Sequence, residues 1–426
     1  MIARSSPPLS GPVVVVGAGP AGATAARRLA LAGVPVHLLD KATFPRNKPC
    51  GGGISMRVLP RFPYLREPLR RITTHELRRL YLEEPGGRSA MVTSEAPAAL
   101  MIRRVEYDAL LVSLAVEAGA TLEPGVDIVQ ARQTSSAVEL VARDGRRFAA
   151  PLVIAADGVH SIVARRLGLN RGWPATSVAL DMMEETPRER LRDIDPSTLW
   201  VAYGYGDAAS ATDGAPEGYA YIFPKRDHVN IGIGYVLDYF RRHVDEAPYA
   251  LQRGFVDRLR ARGIVAGESA REHFTPFLIP VGGPLRETGR GRVVLAGDAG
   301  GFVNGFTAEG IYYAMVSGEL AAKAALVHLD TGGDFPRTYA NAWNAEIGAE
   351  LRDSVLIQRY LFADRRRIAA IVNGASRGHG AARWLLEFAV GRRSYRSLRR
   401  AMLARAPHLA VRLLWERVRQ RRLRAR

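Results

Sequence analysis

Cysteine is nearly missing from this chain: Cys50 is the one thiol in 426 residues. It forms no internal disulfide, which fits a reducing compartment and excludes the disulfide-stapled secreted class. Lysine is almost as scarce, four residues against 56 arginines. No apolar run reaches about 18 residues, so no spanning helix is expected. The opening stretch, MIARSSPPLSGPVVVVG, has no apolar segment ahead of a strand-like run at Val13, so no secretory signal is expected either. Internal repeats and low-complexity tracts are absent, and no metal is expected. What is present is 47% hydrophobic residues, enough for a large core in two or three parts. A cytoplasmic protein, or one lying on a membrane surface, is expected.

The formal charge of +18 is unevenly placed. From Gly391 to Arg426 thirteen arginines face one acid, Glu416, so this tail alone supplies +12. It interleaves Leu, Val and Trp with Arg, the composition of a helix lying on a membrane surface. A solvated terminus in an arginine-rich chain is the bland alternative. Nucleic acid is not expected as a partner, because the tail has only Trp415 and Tyr395 to stack on bases and no RNA-binding signature precedes it.

Residues 11–41, GPVVVVGAGPAGATAARRLALAGVPVHLLDK, read as strand, glycine turn, amphipathic helix and second strand ending in an acid. Gly17, Gly19 and Gly22, with Pro20 and Ala21 between them, fit the dinucleotide fingerprint: a tight turn, close approach to a diphosphate, and tight helix-on-strand packing. The helix start offers free N–H groups and a positive dipole end. Asp40, followed by Lys41, is placed to accept hydrogen bonds from a ribose. Residues 52–95 are irregular and read as loops and short elements. Residues from about 172 to 285 alternate with period two, as in GYAYIFPKRDHVNIGIGY, and read as an antiparallel sheet. Strand, turn and long helix return over 291–329, and the chain beyond reads as helical.

One nucleotide fingerprint does not explain two further strand-turn-helix corners. GAGPAG with Asp40, AADG with Asp157 and Gly158, and LAGDAGG with Gly297 and Asp298 resemble the three signatures of the FAD-dependent reductase and hydroxylase superfamily. The resemblance implies that Asp298 holds the ribityl chain, that Asp157 and Gly158 support the flavin region, and that Arg104 contacts FAD. The fold it implies is α/β: a Rossmann-like FAD-binding domain in three layers, ββα (1–171 with 286–330), an inserted antiparallel-sheet substrate domain (172–285), and a helical, basic C-terminal region (331–426).

Two stretches narrow the likeness. FPRNKPCGGGIS and GYAYIFPKRDHVNIGIG resemble the geranylgeranyl reductase family, with its K-x-C-G-G segment and its aromatic-x-Trp-x-Phe-Pro followed by Gly-x-Gly. Here the second pattern is Tyr219, Tyr221, Phe223 and Pro224, then Gly232 and Gly234; Tyr221 stands where the family prefers Trp. Alternating aromatics share one strand face, so they form a candidate wall for an isoprenoid chain. The resemblance implies a site role for Cys50, with Gly51 and Gly52 turning the backbone over a planar ring, and with Tyr219 and Tyr221 beside it. NGFTAEGIYYAM starts a helix whose positive end, in related flavoenzymes, faces the isoalloxazine; Gly305, Ala308, Gly310 and Ile311 fall there, and Gly305 replaces a proline common in the family. The implied activity is reduction of prenyl double bonds on a lipid, quinone or pigment. With no second fingerprint, NADPH or another donor must visit the flavin without a domain of its own. An FAD monooxygenase or a halogenase is the alternative; the first usually reads P-x-G-x-G-x-N where this chain has GFTAEGIYY, the second W-x-W-x-I-P where it has YAYIFP.

Overall fold

The computed structural model describes residues 11–204, 217–377 and 400. The basic tail of 391–426, Arg400 apart, therefore lies outside the described residues. A six-stranded sheet forms the centre of the first half, in the order Gly289–Arg290, Val293–Leu295, Val153–Ala155, Val13–Val16, Val36–Asp40, Thr121–Pro124. All its pairings are parallel except the edge hairpin. The four valines of Val13–Val16 show why this segment is a central strand. Val13 and Val15 face a helical layer that includes Pro20–Ala30, Arg104–Glu117 and Ile311–Thr331. Val14 and Val16 face the three-stranded meander Ile128–Gln133, Val138–Ala142, Arg147–Ala150. Burial on both faces turns the period-two pattern into a continuous apolar run. Helices, sheet and meander are the three layers expected from the sequence.

The Val293–Leu295, Val153–Ala155 and Val13–Val16 strands are immediate neighbours and point the same way. Each ends in one of the glycine corners: Gly297, Gly158 and Gly17. Segments up to 280 residues apart in the chain thus meet along one edge, the carboxyl end of a parallel sheet, where such folds bind ligands.

Beyond that edge lies a seven-stranded sheet, in the order Phe274–Ile279, Ala179–Pro187, His228–Val236, Gly218–Pro224, Thr198–Ala202, Arg79–Glu83, Ser89–Thr93. The last two strands correct the loop reading of 52–95 and its assignment to the nucleotide half. Leu80, Leu82, Ala90 and Val92 are the buried, alternating positions of a hairpin whose other positions carry Arg, Tyr, Ser and Met, which diluted the signal. Met182, Trp200, Ala220, Ile222, Ile231 and Ile233 pack one face of this sheet onto the helix Pro248–Ala261. Asp181, Met183, Tyr219, Tyr221 and Phe223 are left for the opposite face, toward the nucleotide half. Helices Phe335–Trp343, Ala349–Phe362 and Arg365–Arg377 follow the long Ile311–Thr331 helix.

Candidate functional site

The fingerprint turn admits no side chains. Gly17 holds φ of +94°, and a Cβ there would stand 2.3 Å from the Ala156 carbonyl oxygen; a Cβ on Gly22 would stand 1.8 Å from the Gly17 carbonyl oxygen. Pro20 opens the helix, and Ala21 lies against Gly318, whose Cβ would come within 2.1 Å of the Ala21 oxygen. Gly19 faces Arg46, with 3.6 Å between the guanidinium and a would-be Cβ. Arg46 Nη2 pairs with Asp108 at 3.1 Å, while its buried Nη1 has no partner. An orphaned cationic donor beside a fingerprint loop fits a diphosphate. The sequence reading passed over Arg46; its one signal was its place in the loop leading to Cys50.

Asp40 ends its strand as expected, but its carboxylate already works for the fold, accepting Ala18 N–H at 2.7 Å and Ala42 N–H at 2.8 Å. Each oxygen keeps a lone pair for a ribose. Lys41 is exposed beside it. Asp157 accepts from the Ser161 hydroxyl at 2.5 Å and from the Ile162 and Val163 N–H groups at 2.8 and 3.2 Å. Burial raises this carboxyl above its ordinary range, and those donors pull against it. Its oxygens hold the start of the helix Ile162–Arg166, so its support of a flavin is indirect. Gly158 takes φ of +83° in open space.

Lys48, Cys50, Arg104 and Asp298 come together from three segments. Arg104 grips Asp108 through Nε and Nη2, both at 2.7 Å, in the neighbourhood of Cys50. Burial works against its charge, but Asp108 outweighs burial and holds it protonated. Lys48 lies 4.7 Å over the Phe277 ring. Burial, then the Arg104 charge, lower its pKa, while Asp298 and Cys50 pull it back. Burial raises Asp298, Lys48 and Arg104 oppose that rise, and its carboxyl accepts no hydrogen bond among the described residues. Gly297, at φ of +60°, and Gly310, whose would-be Cβ stands 3.6 Å from Asp298 Oδ1, keep the space beside that carboxyl free. An unsatisfied carboxylate between two cations in a glycine-lined cradle suits a polyhydroxyl chain next to phosphates. These residues fit FAD.

The loop from Gly305 to Gly310 leads from that corner into the Ile311–Thr331 helix. Asn304 Oδ1 accepts from the N–H groups of Phe306 and Thr307, both at 3.0 Å. Ala308 adopts φ of +56°, the left-handed region that non-glycine residues rarely enter. Glu309, which reads in sequence as a first-turn acid, instead accepts the Ser55 N–H at 2.9 Å and ties the Cys50 segment to the helix start.

Tyr219, Tyr221 and Phe223 do share one face. Tyr221 and Phe223 rings are 4.4 Å apart, and Tyr219 donates its hydroxyl to the Thr307 carbonyl at 2.8 Å. Gly51 packs flat against Phe223, where a Cβ would be 2.6 Å from the ring. Pro224 ends the strand. Gly232 makes room for the Tyr221 ring, which a Cβ there would meet at 2.4 Å, and a Cβ on Gly234 would be 3.2 Å from Asp181 Oδ1.

Two cavities flank this wall. Tyr219, Tyr221 and Gly234 line the first with Asp181, Phe306 and Ala308; it holds about 50 Å³. Cys50 lines the second, of about 270 Å³, with Lys48, Arg103, Arg104, Glu185 and His228. Cys50, whose Sγ accepts the Gly52 N–H at 3.4 Å, lines the polar cavity, and Gly51 after it packs on the aromatic wall. Gly52 takes φ of +76°, and its would-be Cβ stands 2.1 Å from the Ile102 oxygen.

Residues 10–224 match the family described as FAD binding domain. A menaquinone reductase of Mycobacterium tuberculosis is 32% identical over 322 residues, 74% of this chain and 76% of its own length. A digeranylgeranylglycerophospholipid reductase of Methanopyrus kandleri is 31% identical over 346 residues, 78% of this chain and 86% of its own. The crystal structure of a geranylgeranyl bacteriochlorophyll reductase-like protein of Thermoplasma acidophilum superposes with a TM-score of 0.76 at 20% identity, over 92% of this chain and 98% of that one. With glycine corners that meet on one sheet edge and these relatives beside them, the chain belongs to the geranylgeranyl reductase family and is an FAD-dependent oxidoreductase.

Proposed function

We propose that the chain reduces carbon–carbon double bonds in a prenyl chain carried by a lipid, quinone or pigment. One observation carries this reading: the aromatic cavity abuts the Gly305–Gly310 loop that runs out of the third glycine corner, so an apolar slot and the flavin cradle share a wall. The activities for which the relatives are named, on a menaquinone and on a digeranylgeranylglycerophospholipid, agree with a prenyl substrate.

Bound FAD supplies two-electron hydride chemistry. The chain's own residues do the rest. Arg46 and the helix end at Pro20 hold the diphosphate, Asp298 the ribityl hydroxyls, and Lys48 and Arg104 the negative charge nearby. The N-terminal N–H groups of the Ile311–Thr331 helix would favour negative charge on a flavin bound there. Tyr219, locked to Thr307, fixes the sheet against that helix start. A prenyl chain would lie against the Tyr219, Phe306 and Phe362 side chains that line the aromatic cavity. NADPH or another diffusible donor recharges the site.

The test is anaerobic. Protein reduced with dithionite is mixed with a prenylated quinone or a digeranylgeranyl lipid, and the product is weighed by mass spectrometry. The expected result is a gain of two hydrogens per bond without oxygen. A product formed only with oxygen, or only with oxygen and halide, overturns the reading in favour of a monooxygenase or halogenase.

A further inference from the structure

Asp181 is a buried acid on the wall of the aromatic cavity, and neither the fingerprint nor the prenyl-reductase pattern contains it. It sits in the Ala179–Pro187 strand, opposite Gly234 on one side and Phe277 on the other. Its side chain, 6% exposed, points toward the nucleotide half. Tyr221 donates its hydroxyl to Oδ2 at 2.9 Å, and Oδ1 is buried without a partner. The sequence departure at Tyr221 has its counterpart here: a Trp would carry no hydroxyl for Asp181. Both glycines of the Gly-x-Gly pair serve the same two side chains, Gly232 by housing the Tyr221 ring and Gly234 by standing clear of Oδ1. Leaving a buried carboxyl oxygen unpartnered is unfavourable. That cost falls when the carboxyl is neutral.

We propose that Asp181 is the proton donor for the alkene reduction, a catalytic role that rests on the reading of the chain as a prenyl reductase. The alkene π pair takes the Asp181 carboxyl proton at one carbon as the O–H bond breaks. Bound reduced FAD would supply the hydride at the other carbon and so balance the two electrons. Asp181 is left as the carboxylate and regains a proton from water. Proton and hydride transfer must be closely coupled, since a carboxylic acid does not form a free carbocation from an unactivated alkene.

The surroundings set the acidity. Burial raises the Asp181 pKa to about 7, against the pull of the Tyr221 hydroxyl, the Lys48 ammonium and the Met182 N–H. Phe277 and Ile279 from the neighbouring strand, and Ala308, Gly305 and Phe362 from across the cavity, bring no charge; besides Tyr221, the other titratable groups on its wall are Glu217, Tyr219 and Tyr235. Asp181 is therefore protonated below about pH 7. Activity is expected to fall as pH rises through that value.

Three measurements on the full-length holoenzyme and its apoprotein test the role. Asp181→Asn, with normal FAD content, is expected to slow single-turnover reduction of a prenylated quinone on the order of a hundredfold or more. Tyr221→Phe removes a hydrogen bond that favours the carboxylate, so its alkaline limb should move to higher pH. In the apoprotein, infrared spectra with ¹³C-labelled aspartate should show a neutral carboxyl band below about pH 7 that Asp181→Asn abolishes. Parent-rate turnover in Asp181→Asn overturns the role, as does the lack of that band. Should Asp181→Asn fail to fold, an unmoved limb in Tyr221→Phe overturns it. A parent protein that reduces no prenyl chain overturns the proposed function and the donor role with it, whereas loss confined to the variants leaves that function standing.

Discussion

At residue 305 the loop needs an amide hydrogen that proline lacks. The Gly305 N–H donates to Ser354 Oγ at 2.8 Å, and a Cβ there would stand 2.7 Å from the Val281 carbonyl oxygen. Proline fails on both counts. The departure from the family pattern was visible in the sequence, but its reason was not, because Ser354 lies 49 residues on. Arg46 and Asp181 were illegible for the same reason: a lone arginine or aspartate gains meaning only from what folding sets beside it. Cys50 stands out in the sequence through the resemblance alone. Its sulfur accepts the Gly52 N–H near Arg104, the residue that with Lys48 acts on Asp298. Cys50→Ala is therefore expected to keep its yellow FAD and to lose alkene reduction on the order of tenfold to a hundredfold, through a displaced turn. The alkaline limb of its pH profile should not move, since Asp181 is untouched. Turnover at the parent rate would make the thiol mere packing; a moved limb would return the proton to Cys50.

Elements were read best where burial on both faces made the pattern strong. The βαβ unit, the Tyr219–Phe223 face and the helix after Gly310 follow from the sequence directly. The Arg79–Glu83 and Ser89–Thr93 strands escaped because each offers two buried apolar residues amid charged and polar ones, and the partner for Arg79–Glu83, Thr198–Ala202, is over a hundred residues away. The contact between the Pro20–Ala30 and Ile311–Thr331 helices was also hidden. It turns on Gly318, which reads in sequence as an ordinary small helical residue, yet a Cβ there would press to 2.1 Å from backbone at Ala21. Backbone does not yield as a flexible side chain does. Gly318→Val should force the helices apart, at about 1–3 kcal/mol or more, and shift the fingerprint helix whose end faces the diphosphate. Denaturant midpoint and flavin absorbance per protein should fall together. A variant with an unchanged midpoint and full FAD would show that this close approach is dispensable.

At the scale of the molecule, charge is divided from chemistry. Two thirds of the +18 excess sits in the last 36 residues, past every glycine corner and both cavities. No helix among the described residues is long and apolar enough to cross a membrane. A protein handling prenyl lipids must still meet them where they dissolve, and basic side chains near an anionic surface contribute about 1 kcal/mol each. The tail is therefore proposed as the part that brings the cavity to the bilayer. Chains ending at Val390 should carry as much FAD as the full protein and lose sedimentation with phosphatidylserine vesicles. The full chain should bind those vesicles less as salt rises, since screening weakens exposed charges beyond about 10 Å at 0.1 M. It should bind neutral phosphatidylcholine vesicles weakly at any salt. Equal sedimentation of long and short chains, or equal binding to both kinds of vesicle, would remove the tail from this role and leave the surface around the aromatic cavity as the route by which lipid arrives.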